Sequence, residues 1–61
     1  MVFLTFEMLD QLNEEQEKEF DTLARAQDWL KGQRETDFNW IVMYDAAGHE
    51  LAETYSEILE F

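Results

Sequence analysis

The sequence predicts an α+β fold: one helix packed on a three- to four-stranded, mostly antiparallel sheet, in the order β-(β)-α-β-β. Three observations lead there. "NWIVMY" is a bulky, β-branched and aromatic run, apolar on both faces, as an internal strand requires. "TLARAQDWLK" carries Leu23, Ala26 and Leu30 on one helical stripe. The chain has 61 residues, 46% of them hydrophobic, with no Cys and no Pro. That length predicts a single domain, 1–61, of marginal stability, whose core receives no disulfide or thiolate–metal staple.

The elements follow in order. "VFLTFEML", residues 2–9, has Val2, Leu4, Phe6 and Met8 on one face of a strand and Phe3, Thr5, Glu7 and Leu9 on the other. A helix over residues 3–19 competes, because Leu4, Met8 and Leu12 recur at helical spacing. The run of Val, Phe and Thr favours the strand. "DQLNEE" is a connection. "QEKEF", residues 16–20, fits three states: a second strand paired back onto the first, a loop, or the start of a longer helix.

Asp21 is the expected N-cap of the central helix, with Phe20 before it as a hydrophobic staple. Lys31 lies in the last turn, and Gly32 is a natural C′ residue after it. "QRETDF" is a loop. "DAAGH" is a hairpin turn in which Gly48 supplies a positive φ. "ELAETY" returns as a half-solvated outer strand with Leu51 and Tyr55 on one face. In "SEILEF", Ser56 starts a helical turn or the strand continues. One sheet face then lacks a cover, with Phe3, Leu9, Ile41 and Met43 the candidates for it, although the sequence leaves open which of the two alternating sets faces the helix. An uncovered apolar face favours a homodimer or a partner surface.

Charge narrows the function. The formal net charge is −11, from 15 acids and 4 bases. Residues 7–21 hold Glu7, Asp10, Glu14, Glu15, Glu17, Glu19 and Asp21 against Lys18 alone. Residues 22–36 are nearly balanced, Asp28 and Glu35 against Arg25, Lys31 and Arg34. Residues 37–61 hold Asp37, Asp45, Glu50, Glu53, Glu57 and Glu60 with no base. Such a chain is repelled by nucleic acid and by anionic membrane surfaces, so neither is an expected direct ligand. The N-terminal apolar run has no basic flank and is interrupted by Glu7. It reads as neither a secretory signal nor a membrane span, and a cytoplasmic protein is expected.

No catalytic signature is present, and no enzyme activity or cofactor is expected. His49 is the single histidine. With Asp45 and Glu50 it suggests a metal or acid–base site, but a lone turn histidine is ordinarily solvated and zinc needs more ligands. Gly32 and Gly48 stand apart, so there is no phosphate cradle, and no D-x-D-x-D-G calcium loop occurs. Trp29 and Trp40 are read as core rather than as ligand platforms.

The ordinary role of surface acids is solubility, for which a net charge of about 2 to 8 suffices in a small domain. The excess here costs stability through self-repulsion. It suits a protein that docks on a cationic groove built for nucleic acid. If residues 16–20 are extended, Glu17 and Glu19 form a row spaced about 6.6 to 6.8 Å, comparable with successive phosphates along one DNA strand. Asp21 lies near the end of that row, and Glu53, Glu57 and Glu60 form a second. Carboxylates so displayed accept charge-assisted hydrogen bonds from Arg and Lys in place of phosphate. The residues expected to bind the partner are Glu14, Glu15, Glu17, Glu19, Asp21, Glu53, Glu57 and Glu60. The alternative is a small dimerising interaction module whose acids serve solubility only.

The string Phe20-Asp21-Thr22-Leu23, Ala26 and Trp29, then Trp40-Ile41-Val42-Met43-Tyr44-Asp45 and Gly48 before Leu51, resembles small phage and prophage proteins of β-α-β-β type. The likeness spans roughly the last two-thirds of the chain and rests on structural motifs, a capped helix and a hairpin. Some small acidic phage proteins are anti-CRISPR or other anti-defence inhibitors that act as DNA mimics. The resemblance implies a small inhibitor encoded by a mobile element, with a protein as its target; taken with the charge pattern, the expected partner is a nucleic-acid-binding protein such as a CRISPR effector subunit. It carries no active residue across.

Overall fold

The computed structural model describes all 61 residues. Strands β1 (Val2–Met8), β2 (Gln16–Phe20), β3 (Phe38–Asp45) and β4 (Glu50–Ala52) form one sheet in the spatial order β2-β1-β3-β4. Every neighbouring pair is antiparallel. The fold is α+β, as expected, with α1 (Leu23–Lys31) and a second short helix, α2 (Tyr55–Glu60), on one sheet face. The three states left open for residues 16–20 resolve to a strand.

Register decides which side chains share a face, because directly opposed residues point the same way. Leu4 opposes Lys18 on one side and Met43 on the other, and Phe6 opposes Gln16 and Ile41. Val2, Leu4, Phe6, Ile41, Met43 and Ala52 therefore face the helices and meet Ala26, Leu30 and Ile58 in one buried cluster. Phe38 joins it through a β-bulge: the β1–β3 register slips between Glu7 and Met8, so Met8 opposes Phe38 and Asn39 is skipped. Without that slip Phe38 would point to the other face. It packs edge-on against Phe6, ring centres 5.6 Å apart.

This register corrects the assignment of the uncovered face. Ile41 and Met43 lie under the helices, 3% and 0% exposed. Phe3 does lie on the open face, and Leu9 sits beyond β1 in an exposed turn. The alternation of β3 places Trp40, Val42 and Tyr44 beside Phe3 instead. Trp29 packs against the core as expected, whereas Trp40 is half-exposed on the open side and is not part of it.

Both helix starts are Thr caps. At α1 the N-cap is Thr22, not Asp21; its hydroxyl accepts the Arg25 amide at 3.2 Å. This moves Phe20 out of the staple position, and its ring packs instead on Trp29. At α2 the Thr54 hydroxyl accepts the Glu57 amide at 3.1 Å and donates to the Glu57 carboxylate at 3.2 Å. The outer strand thus stops at Ala52, and Tyr55 belongs to α2 rather than to a strand. Gly32 closes α1 at φ −80°, not in the left-handed region. Short i→i+3 bonds from Gly32 to Trp29 and from Gln33 to Leu30 satisfy the last carbonyls without a positive φ. Residues 35–37, within the expected loop, form a single 3₁₀ turn.

The two helices are tied to each other by polar contacts. The Gln27 amide donates to the Ile58 carbonyl at 2.9 Å. The Tyr55 hydroxyl reaches the carbonyls of Leu30 at 3.2 Å and Gln33 at 3.1 Å. No helix is long and apolar enough to cross a membrane.

Candidate protein-docking surface

The acids expected to bind a partner fall into two groups at opposite edges of the sheet. Glu14 and Glu15 lie in the β1–β2 connection, Glu17 and Glu19 on β2, and Asp21 between β2 and α1. Glu53 lies between β4 and α2, and Glu57 and Glu60 are on α2. All eight are exposed. Strands β2 and β4 are separated by β1 and β3, and Glu57 and Glu60 stand on α2, which packs on the helix-covered side. The fold therefore brings the first set together and holds the second apart from it.

Glu17 and Glu19 share the open face, because they oppose Thr5 and Phe3. Lys18 alternates to the helix side, where its ammonium stands 5.6 Å from the Trp29 ring centre and 5.8 Å from that of Phe20. Arg25 and Lys31 are on α1, and Arg34 follows it. No basic residue occupies an open-face strand position. None of the four bases forms an ion pair with an acid: the single pair is His49 Nδ1 with Asp45 Oδ2 at 3.4 Å. No carboxylate is thus tied to a Lys or Arg of the protein by an ion pair.

Sequence reasoning named the acids and placed Phe3 on the uncovered face, but missed Trp40, Val42 and Tyr44 beside it. Across the open face run the rows Glu19–Phe3–Tyr44–Glu50 and Glu17–Thr5–Val42, with Glu7 opposite Trp40 beyond them. Phe3, Val42, Tyr44 and Trp40 are half-buried there with no helix over them. An open cleft of about 400 Å³ is lined by Phe3, Thr5, Glu15, Glu17, Tyr44 and Asp45, among others. The signal that finds this surface is the alternation of β1 and β3, once their register is known. Glu7 accepts a hydrogen bond from the Asn39 amide at 2.7 Å, which fixes its carboxylate at the end of the face.

Asp45 braces the hairpin turn that carries His49. Asp45 Oδ1 accepts the backbone amides of Ala47 and His49, each at 2.9 Å, and Gly48 adopts φ 87° as the hairpin turn demands. The His49 amide, then the Ala47 amide and the adjacent imidazole, hold the Asp45 carboxyl below its ordinary pKa against the opposing effect of burial. No group of three His, Asp or Glu side chains is arranged to hold a metal ion.

No protein-family model matches the chain, and neither curated proteins nor solved structures provide a match.

Proposed function

We propose that this protein is a non-enzymatic inhibitor that binds the cationic nucleic-acid-binding surface of a target protein. In its most specific form it is a cytoplasmic anti-CRISPR protein that acts as a DNA mimic. The observation that supports this is the set of exposed carboxylates on an ordered sheet edge, none paired with a Lys or Arg. Glu17 and Glu19 recur on one face at about 6.6 to 6.8 Å, a spacing that suits side chains arranged for successive phosphates. Arg and Lys of the target donate to these carboxylates through charge-assisted hydrogen bonds. The scaffold holds the charges in place before binding, which lowers the entropic cost of docking. A surplus of negative charge also steers encounter with a basic cleft.

The test is a mobility-shift assay of duplex DNA with a panel of CRISPR effector complexes. Wild-type protein is expected to block DNA binding by at least one, and Glu17→Lys/Glu19→Lys to release the block while the fold is retained. Inhibition unchanged by that double reversal would remove these positions from the interface. The alternative, a dimerising module whose acids serve solubility, draws on the uncovered sheet face. Sedimentation showing a stable dimer, together with inhibition or complex formation insensitive to charge reversal, would favour it.

A further inference from the structure

Resting on that inhibitory reading, we propose that the contact surface is the open face of the sheet, and that its occupant is an arginine-bearing segment of a basic partner. The face has two chemistries in a fixed order. Phe3, Val42, Tyr44 and Trp40 form its interior, with Glu17 and Glu19 along the β2 edge, Glu7 at the end of the β1 row and Glu50 opposite Tyr44 on the β4 edge.

A wholly apolar partner would cover the aromatic interior but would strip water from carboxylates that have no cation, which is costly. An acidic partner or nucleic acid would be repelled. A second copy, face to face, would bring the same acids against their equivalents, with no base on either open face to separate them. An arginine answers both parts of the surface. Its guanidinium is planar, stacks on aromatic rings and forks onto a carboxylate, while its methylene stem lies along apolar surface. The row Glu19–Phe3–Tyr44 presents such a sequence: a carboxylate at the edge, then two rings inward on successive strands. The cleft walled by Phe3 and Tyr44 and flanked by Glu15, Glu17 and Asp45 gives a side chain room to enter. Lysine satisfies the carboxylates but stacks less well, so the surface selects arginine.

The experiment is a two-dimensional NMR titration of the intact protein with a short synthetic peptide of alternating Arg and Ala, and with its Lys counterpart. Shift changes are expected to centre on Phe3, Thr5, Val42, Tyr44 and the Trp40 indole. The Arg peptide should bind tighter than the Lys peptide by about two- to five-fold, the worth of one exposed cation–π contact. Thr5→Lys, which places a cation mid-face, should abolish the response while the spectrum stays dispersed. If that variant does not fold, the wild-type shift map alone decides. Shifts confined to Glu53, Glu57 and Glu60 would overturn this docking face but leave an acidic inhibitor standing. No binding of either peptide at low salt would overturn both. Self-association through the open face, seen as the same shifts on concentrating the protein without peptide, would replace the basic partner with a second copy.

Discussion

Met43 and Val42 are neighbours on β3, and the register puts them on opposite faces. Met43 is fully buried beneath the helices, whereas Val42 is half-exposed on the open side. Truncating each to Ala therefore separates the two faces energetically. Met43→Ala leaves a cavity in a core of ten buried residues and should cost about 2 to 5 kcal/mol. A domain this small rarely has more than about 3 to 5 kcal/mol in hand, so most of the variant should be unfolded or close to it. Val42→Ala removes two methyl groups that are already partly wet and some strand preference, about 1 kcal/mol or less. Urea unfolding followed by tryptophan fluorescence reads both. With a slope of about 1 kcal/mol per molar, Val42→Ala should move the midpoint by at most about 1 M, while Met43→Ala should lose most of the transition. Equal costs, or a larger cost at Val42, would show that the sheet faces are assigned the wrong way round, and the proposed docking face would go with them.

Three further outcomes are expected. Tyr55→Phe should lower stability by about 1 kcal/mol, because the Leu30 and Gln33 carbonyls lose a donor while the ring keeps its packing; an unchanged thermal midpoint would mean that the hydroxyl does not tie α2 to α1. Thr54→Ala should cost about 0.5 to 2 kcal/mol and Thr54→Ser much less, measured by chemical denaturation; equal losses would exclude the capping bond. Asp45 has a depressed pKa in the folded state, so its contribution is present above the unfolded value of about 3.9 and fades as pH falls through the lower folded value. The stability gap between wild type and Asp45→Asn should accordingly close on acidification, and a gap that widens would reverse the sign of the coupling.

The class of fold was legible because its main signals are local: the stripe of Leu23, Ala26 and Leu30, the apolar run from Trp40 to Tyr44, and Gly48 in its turn. The faces were not, because they depend on non-local register. Two bulges, one skipping Asn39 and one skipping Leu51, change the alternation in ways the strand sequences do not announce. The second helix was legible in principle. Thr54-Tyr55-Ser56-Glu57 is a capping-box spacing, but the alternating residues before it also suited a strand. Asp21 lost the α1 cap to Thr22 by one residue, a difference that rests on backbone dihedrals rather than residue type. The candidate acids were visible as composition. Their division between two sheet edges, and the aromatic rows beside the first group, came only from strand order.

If the unpaired carboxylates on the β2 edge meet a cationic surface, association must depend on salt and on those carboxylates. The most direct measurement is the association rate with an inhibited effector complex as ionic strength is raised, for wild type and for Glu17→Lys/Glu19→Lys. A wild-type rate that falls steeply with salt, and a reversal variant that is slower at low salt with a flatter dependence, is the expected result. Rates that are the same for both proteins and indifferent to salt would contradict it.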